Sequence, residues 1–345
     1  MRIKETLWLI LFLALSALLW PANPFDLSKL EVRIPKGASV KMVEKILKEQ
    51  KIISHYSIFR WVIKVFGLEK KIKAGEYLFS PSDSLPKVVC KLAAGEIIPA
   101  RQIKVTFPEG TSIYKMGMIL KANGYLNWKE FQNLVNEGVT MELRERHKRI
   151  FKYIPSESLE GYLFPDTYCL FADASVEAIV ETMVNRFEEV VLPFWDKASK
   201  DTKFSLHEIL TLASIIEKEA QKSEERPIIS SVYHNRLKAG MPLAADPTIK
   251  YALEKPTKVV YLDQLSVRSL YNTYRQKGLP PGPICNPGIE SIKAAVYPAK
   301  TNFFFFVAKP DGGHIFSRTW SEHQKAKAEI STMKKDKSPL TCPSI

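Results

Sequence analysis

The sequence predicts an α+β chain of small sheets and many short helices. Three observations carry that expectation. Runs with strand character, EVRI (31–34), GEYLF (75–79), RQIKVTF (101–107) and FFFFVAK (303–309), are scattered along the chain rather than grouped. Between them lie runs of helical periodicity, set off by Pro- and Gly-containing turns. One apolar run, LWLILFLALSALLW (7–20), stands apart from both patterns. With 345 residues, 46% of them hydrophobic and 25% charged, the chain has the composition of an ordinary folded protein and room for two or three domains.

A helix over residues 7–20 rises about 21 Å, short of the roughly 30 Å of a bilayer core. Extending it to 3–22 brings in Lys4 and Glu5, whose heads must snorkel. A cleaved signal peptide is the alternative. Against cleavage, bulky Trp20 stands where small residues are needed, and Trp8 and Trp20 suit membrane interfaces. The expectation is a cytoplasmic stub and uncleaved single-pass anchor over 1–22, with everything beyond it outside the cytoplasm. A formal net charge of +13 favours an anionic partner. For an exported chain that partner is membrane lipid or cell-wall polymer, not nucleic acid.

Residues 23–100 read as a small α+β module. Strand 31–34 leads through Pro35-Lys36-Gly37 to a helix that Ser39 caps and that runs to about Gln50, with Val43, Ile46 and Leu47 on one face. Residues 54–66 form a second amphipathic helix stopped by Gly67. GEYLF returns as a strand, and a helix from Ser84 to near Gly95 closes the module. IPKGASVKMVEKILK, from Ile34, is echoed by FPEGTSIYKMGMILK, from Phe107. We read the echo as one strand–turn–capped-helix device used twice.

A larger domain spans 101–335, followed by a basic tail at 336–345. Its strand 101–107 leads to helices over 112–121 and 128–137. LEGYLFPDTY (159–168) is too rich in Gly, Pro and aromatics for a helix and reads as an ordered loop or short strand. Helices follow over 175–198, 206–222 and 225–239. YNTYRQKGLPPGPICNPG (271–288) is a long loop of the kind that carries function. A short helix over 289–296, a hairpin of FFFFVAK and HIFSRT about Asp311-Gly312-Gly313, and a helix over 320–330 complete the domain.

The chemistry centres on TLASIIEKEA (211–220). Ile209, Leu212, Ala213, Ile216 and Ala220 share one helical face, and Glu217 and Glu219 fall on its two borders. A border position desolvates a carboxyl in part while leaving it reachable, which suits a general acid. Periodicity leaves both glutamates open. Small Ala213 and Ser214 leave room beside Glu217, whereas Leu212, Ile215 and Ile216 crowd Glu219. No rival constellation is present: no Walker loop, GxGxxG, GxSxG or HExxH occurs, and Cys90, Cys169, Cys285 and Cys342 form no CxxC pair. No metal or cofactor is expected.

The N-terminal apolar run, LEGYLFPDTY, LASIIEKEA, ERPIISSVYHNRLKAGMPLAADPTIKYAL, YNTYRQKGLPPGPICNPG and FFFFVAKPDGGHIFSRTWSEHQKA resemble, in order, the endolytic murein transglycosylases of the YceG-like family. The resemblance implies a membrane anchor, a LysM-like module over 23–100 that departs from the standard module in its loops, and a catalytic domain with lysozyme-like features. It implies cleavage of nascent peptidoglycan strands between N-acetylmuramic acid and N-acetylglucosamine, leaving 1,6-anhydro ends, beside the peptidoglycan synthases. The first glutamate of the family's EKE motif falls on Glu217, which breaks the tie. Capture of the sugar by its own 6-hydroxyl needs one carboxyl, so no second carboxyl is expected within about 5–10 Å, the spacing of two-carboxyl glycosidases. For sugar binding we expect Glu160, Asp246 and Asn272 at hydroxyl and N-acetyl groups, Tyr274 stacked on a sugar face, and Asn235, Thr248 and Asn286 as further contacts. The rival readings are a hydrolytic muramidase and a non-catalytic wall-binding scaffold.

Overall fold

The computed structural model describes residues 20–54, 58–98, 101–253 and 260–336. Residues 1–19 of the expected stub and anchor over 1–22, the start of the second helix at 55–57 and the tail beyond 336 lie outside the described residues. Among the described residues no helix is long and apolar enough to cross a membrane. The chain is mixed α+β and divides into two compact units between Arg101 and Gln102.

In the N-terminal unit, β1 (Leu30–Ile34) leads to α1 (Val40–Glu49) and α2 (Phe59–Val65), and β2 (Gly75–Phe79) returns antiparallel to β1, with Leu30 opposite Phe79 and Ile34 opposite Gly75. Helix α3 (Leu85–Ala94) follows and ends at Gly95, whose φ of 68° provides the left-handed C-terminal turn. Ser39 caps α1 by accepting from Met42 N, as Ser followed by a periodic apolar run predicts. Val32, Val43, Leu47, Phe59, Ile63, Tyr77, Val88 and Leu92 make the core.

The larger unit opens with the same device. Strand β3 (Gln102–Thr106) leads through a turn to α4 (Ile113–Ala122) and α5 (Trp128–Glu137). Two short helices, α6 (Met141–Arg146) and α7 (Lys148–Phe151), intervene before β4 (Thr167–Phe171) pairs antiparallel with β3. Both turns close with the same bond, Ala38 N to Pro35 O and Thr111 N to Pro108 O, each at 3.2 Å. Gly37 and Gly110 take matching φ of 78° and 74°, a conformation that glycine adopts without steric cost. The echo in sequence is thus an echo in backbone, extending to a closing antiparallel strand in both cases.

The rest of the unit packs around α9 (Leu206–Glu219). Helix α8 (Val176–Ala198) precedes it, and α10 (Arg226–Lys238), α11 (Asp246–Ala252) and α12 (Ile289–Val296) follow, the last three all touching α9. The hairpin β5 (Phe305–Ala308) and β6 (His314–Ser317) then leads to α13 (Trp320–Asp336). The wheel predicted one buried face on α9, but every residue from Ile209 to Ile216 is buried. The polar ones are satisfied locally: Thr211 Oγ1 donates to His207 O and Ser214 Oγ to Thr211 O, both at 2.7 Å. The helix stops at Glu219, three residues earlier than expected, because Ala220 turns extended at ψ 119°. The core holds its middle; His207 and Glu208 in the first turn and residues 217–219 in the last leave it in part.

A capping box fixes the other end of α9: Ser205 Oγ accepts from Glu208 N at 3.3 Å and Glu208 Oε2 from Ser205 N at 2.8 Å. Replacing Ser205 by alanine is expected to lower stability by about 1 kcal/mol. Urea denaturation followed by circular dichroism checks this.

Candidate active site

Glu217 stands in the last turn of α9, its side chain only 7% exposed. Its Oε1 accepts from Arg226 Nη2 at 3.2 Å and its Oε2 from Gly288 N at 3.1 Å. Arg226 begins α10 and is itself steadied by Nε donating to Ser291 Oγ at 3.0 Å on α12. Gly288 is the residue before α12, whose N-terminal end favours a negative group. Two elements that follow α9 in sequence therefore hold the carboxyl from opposite oxygens.

A second carboxyl lies beside the first, contrary to the one-carboxyl expectation. The Arg226 Nη2 that binds Glu217 is 3.9 Å from Glu109 Oε2. The two carboxyls flank that one nitrogen. Glu109 occupies the turn between β3 and α4, which lies against the end of α9. A Cβ on Gly288 would fall 2.0 Å from Glu109 Oε1, and one on Gly110 would fall 3.3 Å from Glu217 Cγ. Lys218 Nζ donates to Gly110 O at 3.2 Å from the same helical turn. Burial, reinforced by the charge of Glu217 and opposed by Arg226, pushes the Glu109 carboxyl above its ordinary range.

Asn286 and Glu160 meet beneath this turn. Asn286 Oδ1 accepts from Gly161 N at 2.9 Å and Leu163 N at 3.0 Å, while Nδ2 donates to Thr111 O and to Glu160 Oε1, both at 3.0 Å. Its backbone joins the same turn, accepting from Gly110 N at 2.9 Å and donating to Thr111 O at 3.1 Å. Glu160 accepts from Ile113 N with both oxygens, at 3.1 and 3.2 Å, and so satisfies the first N–H of α4, whose Ser112 makes no side-chain cap bond. Burial raises the Glu160 carboxyl to about 8, against the opposing pull of these bonds.

Glu219 faces the other way. Tyr233 OH donates to its Oε1 at 3.3 Å, and burial followed by the charge of Asp246 raises its carboxyl to about 7. Asp246, exposed at the start of α11, accepts from Tyr274 OH at 2.5 Å. The structure thus brings Asp246 and Tyr274 together on the Glu219 side of α9, both still open to solvent in part.

The remaining expected sugar contacts lie wholly or partly inside the fold. Asn272 is fully buried, with Nδ2 donating to Leu265 O and Val267 O and Oδ1 accepting from Tyr274 N. Thr248 is fully buried against Ala245 O and Thr273 Oγ1. Asn286 is fully buried, and Glu160 is 6% exposed. Asn235 Nδ2 donates to Thr301 O and Phe303 O, fastening the approach to β5. In this structure these five groups bond the chain's own polar atoms. Sequence reasoning missed Glu109, Arg226 and Gly288, and the FPEGTS echo was the one signal that singled out the first. A separate cleft, lined in part by Phe204, His207, Thr211, His234 and Leu279, flanks the N-terminal half of α9, away from Glu217.

A family model described as the YceG-like family matches residues 32–329. The chain is similar to a curated "Endolytic murein transglycosylase" of Bacillus subtilis (strain 168), 35% identical over 333 residues, which are 94% of this chain and 91% of that protein. It is similar to a protein of the same name from Streptococcus pneumoniae serotype 2 (strain D39), 26% identical over 322 residues. That alignment takes in 86% of this chain but only 58% of the longer relative. The crystal structure of a yceG-like protein from Listeria monocytogenes superposes with a TM-score of 0.58 at 35% identity, over 86% of this chain and 99% of that one.

The raised Glu160 carboxyl has a consequence for stability. The folded chain keeps a proton that the unfolded chain loses above its ordinary 4.5, so stability falls as pH rises from there to about 8. The slope is at most about 1.4 kcal/mol per pH unit. Glu160→Gln is expected to flatten this decline, read from urea midpoints at pH 5 and pH 8.

Proposed function

The chain belongs to the YceG-like family, and on that premise we propose that it is an endolytic lytic transglycosylase of peptidoglycan with Glu217 as its acid and base. The observation that carries this reading is the Glu217 carboxyl, held by Arg226 and the Gly288 N–H at the C-terminal end of α9, where the helix leaves the core. A general acid must be desolvated, oriented and reachable, and this carboxyl is supported on rigid elements on both sides.

In the reaction, protonated Glu217 donates to the oxygen linking N-acetylmuramic acid to N-acetylglucosamine. The C1–O bond breaks with oxocarbenium character. The 6-hydroxyl of the same muramic acid closes on C1, and its proton returns to Glu217. Atoms and protons balance without water, and the nucleophile's position within the substrate supplies the proximity that a bimolecular attack lacks. Arg226 and Gly288 N–H orient the carboxylate that exists between the two proton transfers. Asp246 and Tyr274 remain the groups best disposed to meet a bound glycan, since both keep solvent access.

The apolar run at 7–20 supports a single-pass anchor in the cytoplasmic membrane, with the catalytic unit outside the cytoplasm. The N-terminal unit, with its β1–α1–α2–β2 order, supports a LysM-like module that positions the catalytic unit on nascent strands. Cleavage there would terminate glycan elongation beside the synthases.

Purified glycan strands digested with the wild-type protein are expected to acquire 1,6-anhydro-N-acetylmuramic acid ends, resolved by mass spectrometry. Glu217→Gln, folded by circular dichroism, is expected to lose at least about 10²-fold of that activity. Reducing ends without anhydro ends would instead mark a muramidase, and unchanged cleavage by the variant would remove Glu217 from the reaction. A reporter fused after Ile345 is expected to be active only outside the cytoplasm.

A further inference from the structure

We propose that Glu109 is a positioning residue of the reaction, drawing Arg226 off Glu217 so that Glu217 can carry the proton it must deliver. The inference rests on the transglycosylase reading and begins from the duplicated turn. In the first copy the turn carries Lys36, exposed at Pro35-Lys36-Gly37. In the second the equivalent residue is Glu109, and the turn around it is tied down. Gly110 N donates to Asn286 O at 2.9 Å, Thr111 Oγ1 to Pro108 O at 2.5 Å and Lys218 Nζ to Gly110 O at 3.2 Å. Nothing in the strand–turn–helix device itself requires an acid at that position, since its first copy has a base there.

The geometry gives that acid a task. Arg226 has one nitrogen, Nη2, placed 3.2 Å from Glu217 and 3.9 Å from Glu109. Its Nε is occupied by Ser291, so the guanidinium is anchored and a small swing of its free end transfers it from one carboxyl to the other. A guanidinium paired fully with Glu217 stabilises the charged form and opposes protonation. Glu109 supplies the competing anion for that nitrogen. The other charged groups around the pair are Lys218 on α9 and Glu290 on α12. Glu109 is half exposed, so it can exchange protons with solvent between turnovers.

The test compares wild type with Glu109→Gln in the full-length protein, using release of anhydro-ended fragments from purified glycan strands between pH 4 and pH 9. Gln keeps the size and hydrogen bonding of the side chain but removes the charge. We expect kcat at neutral pH to fall on the order of 10²-fold with KM changed less than about threefold, and the alkaline limb of the kcat profile to move to lower pH. Glu109→Asp, which restores the charge, is expected to return that limb toward its wild-type position. In an Arg226→Gln background, Glu109→Gln is expected to shift the limb much less, because its main route to Glu217 is gone. A Glu109→Gln protein with wild-type kcat and an unmoved alkaline limb overturns the proposal, as does one that loses kcat with an unmoved limb. If the wild-type protein makes no anhydro ends, it is the transglycosylase reading that fails.

Discussion

The Asn286 amide is the constraint on which the active site depends. Its two polar ends bind backbone from the Pro108–Thr111 turn, backbone from the 160–163 loop and the Glu160 carboxyl, all within a fully buried space. A buried polar group left unpaired costs about 1–3 kcal/mol, so none of these bonds can be released cheaply and the three segments move as one. Gly288, whose N–H holds Glu217, lies two residues further along the chain. Glu109 precedes the Gly110 N–H that donates to Asn286 O. Gly288 and the turn that carries Glu109 are therefore both tied to one residue, Asn286.

Helix α9 supplies the other half of the placement. Burial on every side over Ile209–Ile216 leaves it no freedom to roll, so a carboxyl in its last turn is fixed in direction. The EKE spacing then sends its two acids to opposite sides. Glu217 meets donors, Arg226 and the Gly288 N–H, whereas Glu219 meets Tyr233 and the like charge of Asp246 and is pushed up to about 7. Two chemically identical side chains, two residues apart, acquire different electrostatic surroundings, and it is those surroundings that divide roles between carboxyls.

How much of this could be read from the sequence depended on whether a signal was local. The Trp128–Glu137 and Ile289–Val296 helices match the expected bounds because turn residues stand at their ends. Helices α6 and α7 were missed because MELRERHKRIF has charge at nearly every position and little apolar period. Helix α11 was missed although Pro247 lies at its start, a signal that was available. The all-round burial of α9 was hidden because Thr211 and Ser214 are polar by type and apolar by behaviour once bonded within the helix. At the site, residue type picked out the important polar groups but not their direction. Asn272 turns inward to bond the backbone of its own loop, whereas Asn286 and Glu160 bond backbone of other segments and Thr248 bonds Ala245 O and Thr273.

The duplicated strand–turn–helix device shows how such a site can arise on an ordinary module. The backbone is the same in both copies, down to a 3.2 Å turn bond and a glycine near φ 75°. Two local changes separate them. The first copy caps its helix with its own Ser39, while the second leaves Ser112 unused and takes Glu160 from 47 positions along the chain. That exchange ties the start of the second helix to the 160 loop and, through Glu160, to Asn286. The second change replaces a solvated lysine by Glu109. A turn that must be docked is a turn held to fractions of an ångström, and a charge placed on it can act on a neighbour instead of averaging over conformations. Cap exchange therefore comes before charge reversal in physical logic: without the first, an acid at position 109 would be one more solvated surface carboxylate.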